Sequence, residues 1–597
     1  MNIRLILPAA PFLRQLARFA LLPSLLFFVA GCASTSSVNS SVAEQDSAKK
    51  VESEATAAPK PEEKTRPFDL QTLYSLLVAD IAAQRDRYDI ALRNYLRQAA
   101  STDDPGVARH ATLLAEVLRA EAVALRASEL WAKASPGDSN ALQSAAIHQA
   151  RARDLDRAMA HMTGALELGG STQFTELASS AATLTHAKKE GVLSQMQALS
   201  ERHPKNSELL LALATMEDSL GRTDEALANV RKSAALAGPD NEAQGVSAVI
   251  LESQLLEKLN RSEEAIALSA DALTEFNHNK RLHLQYARLL TRSDMVAAER
   301  EFEALAERHP KDYELKFTLA LVYRENQQLD KAEELLTRLL EVDDENASVH
   351  YYLGLVYEDQ GNDDNALQHY AKVGAGRVYL SAQARYADIL SQRDQLSEAL
   401  EYLAVEAEEN ATEAVDLALL SSNLLNRHGE LEQSHNVLTE ALDRNPDNNE
   451  LLYARSMLNE KLEDLAGAES DLRQVLAQDP ENAAALNALG YTLTVHTERL
   501  DEALQLIQKA YSIKPDDPAI MDSMGWVHFQ LGQIDTALEY LRKAHALFPD
   551  PEVAAHLGEA LWAAGQQSEA KSVWREAIQN DPENDYLRDI VERFGQP

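Results

Sequence analysis

Small and apolar positions return along this chain mostly every 33 to 35 residues, with polar turn residues between them. Gly525, Ala537, Ala544 and Pro549 are separated by steps of 12, 7 and 5, and Gly558, Ala570, Ala577 and Pro582 repeat those steps. The middle anchor runs through Ala91, Ala124, Ala158, Val192, Ala226, Ala265, Ala298, Ala332, Ala366, Ala399, Ser434, Ala468, Ala503, Ala537 and Ala570. Twelve residues before most anchors stands another small residue, such as Ala79, Ser180, Gly354, Ser422, Gly525 or Gly558; Tyr286 is the exception. Small side chains at both places predict two helices crossing closely. One such pair cannot bury its apolar face alone, so a fixed period near 34 predicts an all-α solenoid, a superhelix of about 15 helix-turn-helix units.

Twelve residues after the anchor, Pro136, Pro204, Pro310, Pro446, Pro480, Pro515, Pro549 and Pro582 end the second helix, because proline disfavours helix before it. Val378 and Ala411 break this rule, so helices near them are expected to run on. The step from Ala226 to Ala265 is 39, placing an insertion near Gly238–Gly245 that would serve as a joint or a plain long loop. One extra residue falls near His496–Glu498, in the turn inside its unit. Residues 586–594 read as a C-terminal capping helix, apolar on one side. The spacing, with the unit from Ala519 to Trp526 followed by Leu538, Tyr540, Leu541 and Ala544, resembles the tetratricopeptide repeat over about residues 68–582.

Residues 1–31 hold Arg4, Arg14 and Arg18, no acidic residue, and an apolar run from Phe19 to Ala30 that suits a secretory signal. The run ends in Val29-Ala30-Gly31-Cys32, which resembles a bacterial lipobox, and Cys32 is the only cysteine. The resemblance implies acylation of Cys32, and Ala33 in place of Asp implies sorting to the outer membrane, facing the periplasm. Residues 32–67 are expected to be an acylated cysteine and a disordered tether, since Ala33–Pro67 has few large apolar side chains. The remainder divides into degenerate N-terminal repeats over 68–240 and C-terminal repeats with the cap over 241–597.

Charge narrows the partners. The net charge of −37 argues against nucleic acid and against anionic headgroups, leaving the membrane to the lipid anchor alone. Solubility and attraction to basic proteins both account for it. No His-Glu-x-x-His, Gly-x-Ser-x-Gly or phosphate-binding loop occurs, and the acidic runs Asp343-Asp344-Glu345 and Asn362-Asp363-Asp364 fit helix ends better than a calcium loop. Hence no catalytic residue, metal or cofactor is expected, and Gly374-Ala375-Gly376 reads as a turn.

In arrays of the repeat that this chain resembles, first helices line a groove. That resemblance places Tyr351, Glu358, Asn487, Tyr491, Asp522, Trp526, Phe529, Glu559 and Trp562 toward protein partners; packing inside the array is the alternative for the rings. The two blocks from Tyr351 to Val373 and from Ala485 to Pro582, with lipobox and tether, further resemble outer-membrane tetratricopeptide lipoproteins of Pseudomonas-like bacteria. Those bind a periplasmic carboxyl-terminal processing protease and deliver protein substrates, notably peptidoglycan hydrolases. The implied role is a non-catalytic adaptor. Two alternatives stay open: an assembly factor for a pilus, secretin or exopolysaccharide exporter, and an enzyme or glycan binder.

Overall fold

A computed structural model describes residues 69–237, 241–582 and 584–594. The expected signal, Cys32, the tether and Gly238–Asp240 of the insertion lie outside the described residues. Among those described, the chain forms thirty-one helices and no strand, so the all-α solenoid expectation holds. Two compact units are present, one ending at Leu339 and one running from Leu340. Inside each, a helix packs mainly on its neighbours in sequence and on the next helix but one. No described helix is long and apolar enough to cross a membrane.

The recurring residues explain this construction. Ala91, Ala226, Ala298, Ala366, Ala468, Ala537 and Ala570 are fully buried at the crossing of each helix pair. Four residues beyond the anchor, a large side chain lies across the small residue of the first helix. A Cβ on Gly354 would sit 2.3 Å from the Tyr370 ring, on Gly490 2.4 Å from Ile507, and on Gly558 1.9 Å from Trp574. Where both small positions are serine, the Ser422 and Ser434 hydroxyls hydrogen-bond at 2.8 Å instead.

The turns have a pattern of their own. Five residues before the anchor the backbone turns left-handed, at Gly221, Gly361, Gly429, Gly532 and Gly565 with φ of 72° to 79°. Asp86, Arg119, Arg153, Asn260, Gln327, Asp394 and Glu463 take the same slot with φ of 53° to 64°, where a side chain strains the backbone. Between units, proline is followed two residues later by an Asn or Asp that caps the next helix, except at Pro549, where Asp550 follows directly: Asn206 accepts from the Leu209 amide at 2.9 Å, Asp312 from Leu315 at 3.0 Å, Asn482 from Ala485 at 3.0 Å. One short turn thus stops one helix and starts another.

One expectation fails. The helices near Val378 and Ala411 do not run on: Asp363–Tyr370 is only 8 residues long and Leu396–Glu409 stops at Glu409. The first closes at Ala371 and the chain turns through Gly374–Gly376, with Gly376 at φ 145°, while at the second the Asn410 side chain donates to the Glu406 carbonyl at 3.1 Å in place of the missing proline. The extra residue near His496 does fall in a turn, between helices Ala483–His496 and Leu500–Ile513. The cap is a helix, Asp585–Phe594, with Leu587 and Ile590 buried.

Candidate functional site

A polar and aromatic constellation lies on consecutive first helices of the C-terminal unit: Ala483–His496, Pro518–Gln530 and Pro551–Ala563. Tyr491, Trp526 and Glu559 occupy one slot in three successive repeats, so solenoid stacking brings residues over thirty positions apart side by side. His556 Nδ1 bonds Asp522 Oδ2 at 2.9 Å. Trp526 stacks on the His556 ring, with centroids 4.0 Å apart, and Phe529 stacks on Trp526 at 5.0 Å. The Tyr491 hydroxyl donates to the Glu552 carboxylate.

The electrostatics follow from crowding acids in a desolvated place. Burial pushes the Glu552 carboxyl up, and the nearby Asp522 charge adds to it. Burial likewise raises Asp550 and Glu559, although Arg593 pairs with Glu559 at 2.7 Å. For His556, burial opposes the charged form, but Asp522, Glu552 and Glu559 outweigh it and the imidazole is raised. Asp522 Oδ1 and Asn487 Oδ1 are buried with no hydrogen-bond partner among the described residues.

Each sequence-derived groove residue can now be placed. Asn487, Tyr491, Asp522, Trp526, Phe529 and Glu559 belong to this constellation. Trp526 is only 7% exposed, its ring occupied by His556 and Phe529, while Phe529 stays half-buried. Trp562 sits one step further, against Trp574 and Phe594 at 5.9 and 5.5 Å. Tyr351 and Glu358 lie apart, in a second cluster. There Tyr351 meets Tyr352 edge-on at 5.3 Å, and Glu358 accepts from the Tyr370 hydroxyl with Arg385 3.5 Å away.

Sequence reasoning missed several members. His556, Glu552 and Asp550 were overlooked because each is unremarkable inside its own repeat. So were Tyr379 and Tyr402, which extend the second cluster: Tyr379 donates to Glu406 and Tyr402 to Gln383, both at 2.6 Å, and Tyr402 stacks on Tyr386 at 3.8 Å. The acidic run Asn362-Asp363-Asp364 serves structure: Asn362 caps its helix, and Asp363 and Asp364 pair with Arg393 at 3.1 and 2.7 Å. His203 and His309 both stand at helix C-caps, as equivalent repeat positions should.

Comparison with known proteins follows the same lines. The tetratricopeptide-repeat family matches residues 288–338, 317–377, 419–472 and 460–518, and a second description of that repeat matches 494–555. A TPR repeat-containing protein of Pseudomonas aeruginosa is 41% identical over 498 residues, 83% of this chain and 83% of that one. Solved structures that it resembles include a thermophilic TPR protein of Thermus thermophilus, with 25% identity, TM-score 0.27, and 29% of this chain and 93% of that chain covered. Another is a tetratricopeptide repeat protein of Parabacteroides merdae, with 19% identity, TM-score 0.32, and 47% and 97% covered.

Proposed function

The chain belongs to the tetratricopeptide-repeat protein family, a scaffold for protein–protein interaction, and from that premise we propose that it works as a non-catalytic adaptor. In this reading it binds a periplasmic carboxyl-terminal processing protease together with protein substrates such as peptidoglycan hydrolases. Cys32 holds it by a lipid to the outer membrane. The observation that carries the binding role is the Asp522–His556–Trp526–Phe529 constellation with Tyr491 and Glu552, an acidic and aromatic set gathered from three successive repeats. Aromatic side chains are enriched among the residues that dominate binding energy at protein interfaces. Two proteins held on one scaffold meet at raised effective concentration without any added catalytic group.

The test is capture from detergent-solubilised envelope by the full chain carrying Cys32→Ser. A serine protease recovered together with cell-wall hydrolases is the expected result; recovery of a secretin or outer-membrane pore instead would overturn the adaptor role. The anchor has its own test: Cys32→Ser should leave the outer-membrane fraction after a high-salt wash while keeping the wild-type circular dichroism melt. Retention of the variant in that fraction would refute acylation as the tether.

A further inference from the structure

The first described helix, Leu70–Ala83, is apolar nearly all round. Only Gln71, Thr72, Ser75 and Asp80 among its 14 residues are polar. Thr72, Ala79 and Ala82 turn one face inward. The opposite face carries Leu70, Leu73, Tyr74, Leu77 and Ile81, exposed by 87, 49, 69, 50 and 48%. These fall at intervals of three, four and seven residues, one continuous stripe along the helix. No other described helix exposes more than two large apolar side chains. A solenoid normally closes each end with a polar outer surface. The cap Asp585–Phe594 does so, with Arg588, Asp589, Glu592 and Arg593 on its sequence, whereas the first helix does the reverse.

We infer that the Leu70–Ile81 stripe is a self-association surface, covered by the same stripe of a second copy of this chain running antiparallel about a two-fold axis at Leu77. Three observations select this occupant. The chain's own preceding segment is ill-suited, because between Ala33 and Pro67 the only large aliphatic residues are Val38, Val42 and Val51. About Leu77, Leu73 of one copy meets Ile81 of the other, four residues away on either side, while Leu70 and Tyr74 fall opposite Gln84 and Asp80. Eight residues away on either side, exposed Asp69 meets exposed Arg85, so opposite charges close both ends of the seam. Such residue-for-residue reciprocity is what an isologous interface requires. The area also suits, since the five side chains leave on the order of 600 Å² open and a standard interface takes roughly 800 Å² from each partner, the rest coming from flanking residues.

The test uses the full chain with Cys32→Ser, which removes the only native thiol. Sedimentation from about 1 to 100 µM should give the mass of two chains at the upper end. Adding Leu77→Arg, which sets two cations face to face on the axis, should return one chain with an unchanged melt. Leu77→Cys should then cross-link to itself on mild oxidation. Leu70→Cys should not, because seven residues from the axis its two copies lie roughly 20 Å apart. A single-chain mass at 100 µM, or equal cross-linking at Leu70 and Leu77, would overturn the pairing. A single-chain mass combined with loss of protease or hydrolase capture in Leu77→Arg would assign the stripe to a different protein.

Discussion

Replacing Gly558 by alanine puts a methyl group inside the Trp574 ring. In an ordinary helix interior that change stabilises by about 0.5–1 kcal/mol, because glycine loses more backbone freedom on folding. Gly191, in helix His186–Arg202 with nothing within 4 Å of an added Cβ, should behave that way. At Gly558 the added carbon would lie 1.9 Å from Trp574 Nε1, 2.2 Å from Cε2 and 2.7 Å from Cδ1. Non-bonded carbons prefer roughly 3.5–4.0 Å, so the indole or the helix must move by more than about 1 Å. Trp574 is fully buried and stacked on Phe594 at 5.5 Å, which leaves it no easy retreat. Overpacking of this kind costs about 1–3 kcal/mol, and the helix gain offsets only part of it. Gly558→Ala should therefore be net destabilising by about 1–2 kcal/mol. Trp574→Leu opens a cavity and is costly alone, but the double variant should be milder than the sum by about 1–2 kcal/mol, as expected for residues in contact. End repeats open locally, so hydrogen exchange across 551–580 reads the effect better than a global melt. If Gly558→Ala gained protection as Gly191→Ala should, or if the double variant were additive, the close-crossing account of the small-residue positions would be wrong.

The left-handed turns offer a second check: Glu463→Gly and Arg153→Gly relieve backbone strain and should stabilise their repeats by about 0.5–1 kcal/mol, whereas Gly532→Ala should destabilise by about 1–2 kcal/mol; opposite signs in exchange protection would refute the turn assignment. The acid cluster fixes the sign of a pH dependence. Glu552, Asp550 and Glu559 are raised by burial, and His556 by carboxylates that outweigh its burial. A raised folded pKa contributes stability that is fully present below the unfolded value and lost as pH rises through the folded one. Protection of Pro551–Ala563 should thus fall as pH climbs from the ordinary carboxylate range past that of histidine, and Glu552→Gln should flatten the slope; protection that grows with pH would contradict the burial of these groups. Finally, Phe529→Ala should weaken capture of the bound protein about tenfold or more, equal to at least about 1.4 kcal/mol, with the melt little changed. Undiminished affinity would remove Phe529 from the interface.

Much of this was legible in one dimension. The interval between Ala537 and Ala570, the proline two residues ahead of Asx caps such as Asn206, Asp312 and Asn482, and the glycine five residues before the anchor in units such as that of Ala537 are short-range features. Helix period and turn geometry act over a few residues, so spacing alone specifies where helices start, stop and cross. The terminations at Tyr370 and Glu409 escaped because neither unit carries the proline; at Glu409 the Asn410 side chain closes the helix instead. What only the tertiary structure decided lies between repeats. That Trp526 spends its ring on His556, that Glu552 meets Tyr491, and that Leu70–Ile81 is left uncovered all depend on how one unit sets against the next. No residue inside a repeat encodes that neighbour relation locally; it arises from stacking, which joins positions about thirty residues apart and gives the first helix no predecessor among the described residues.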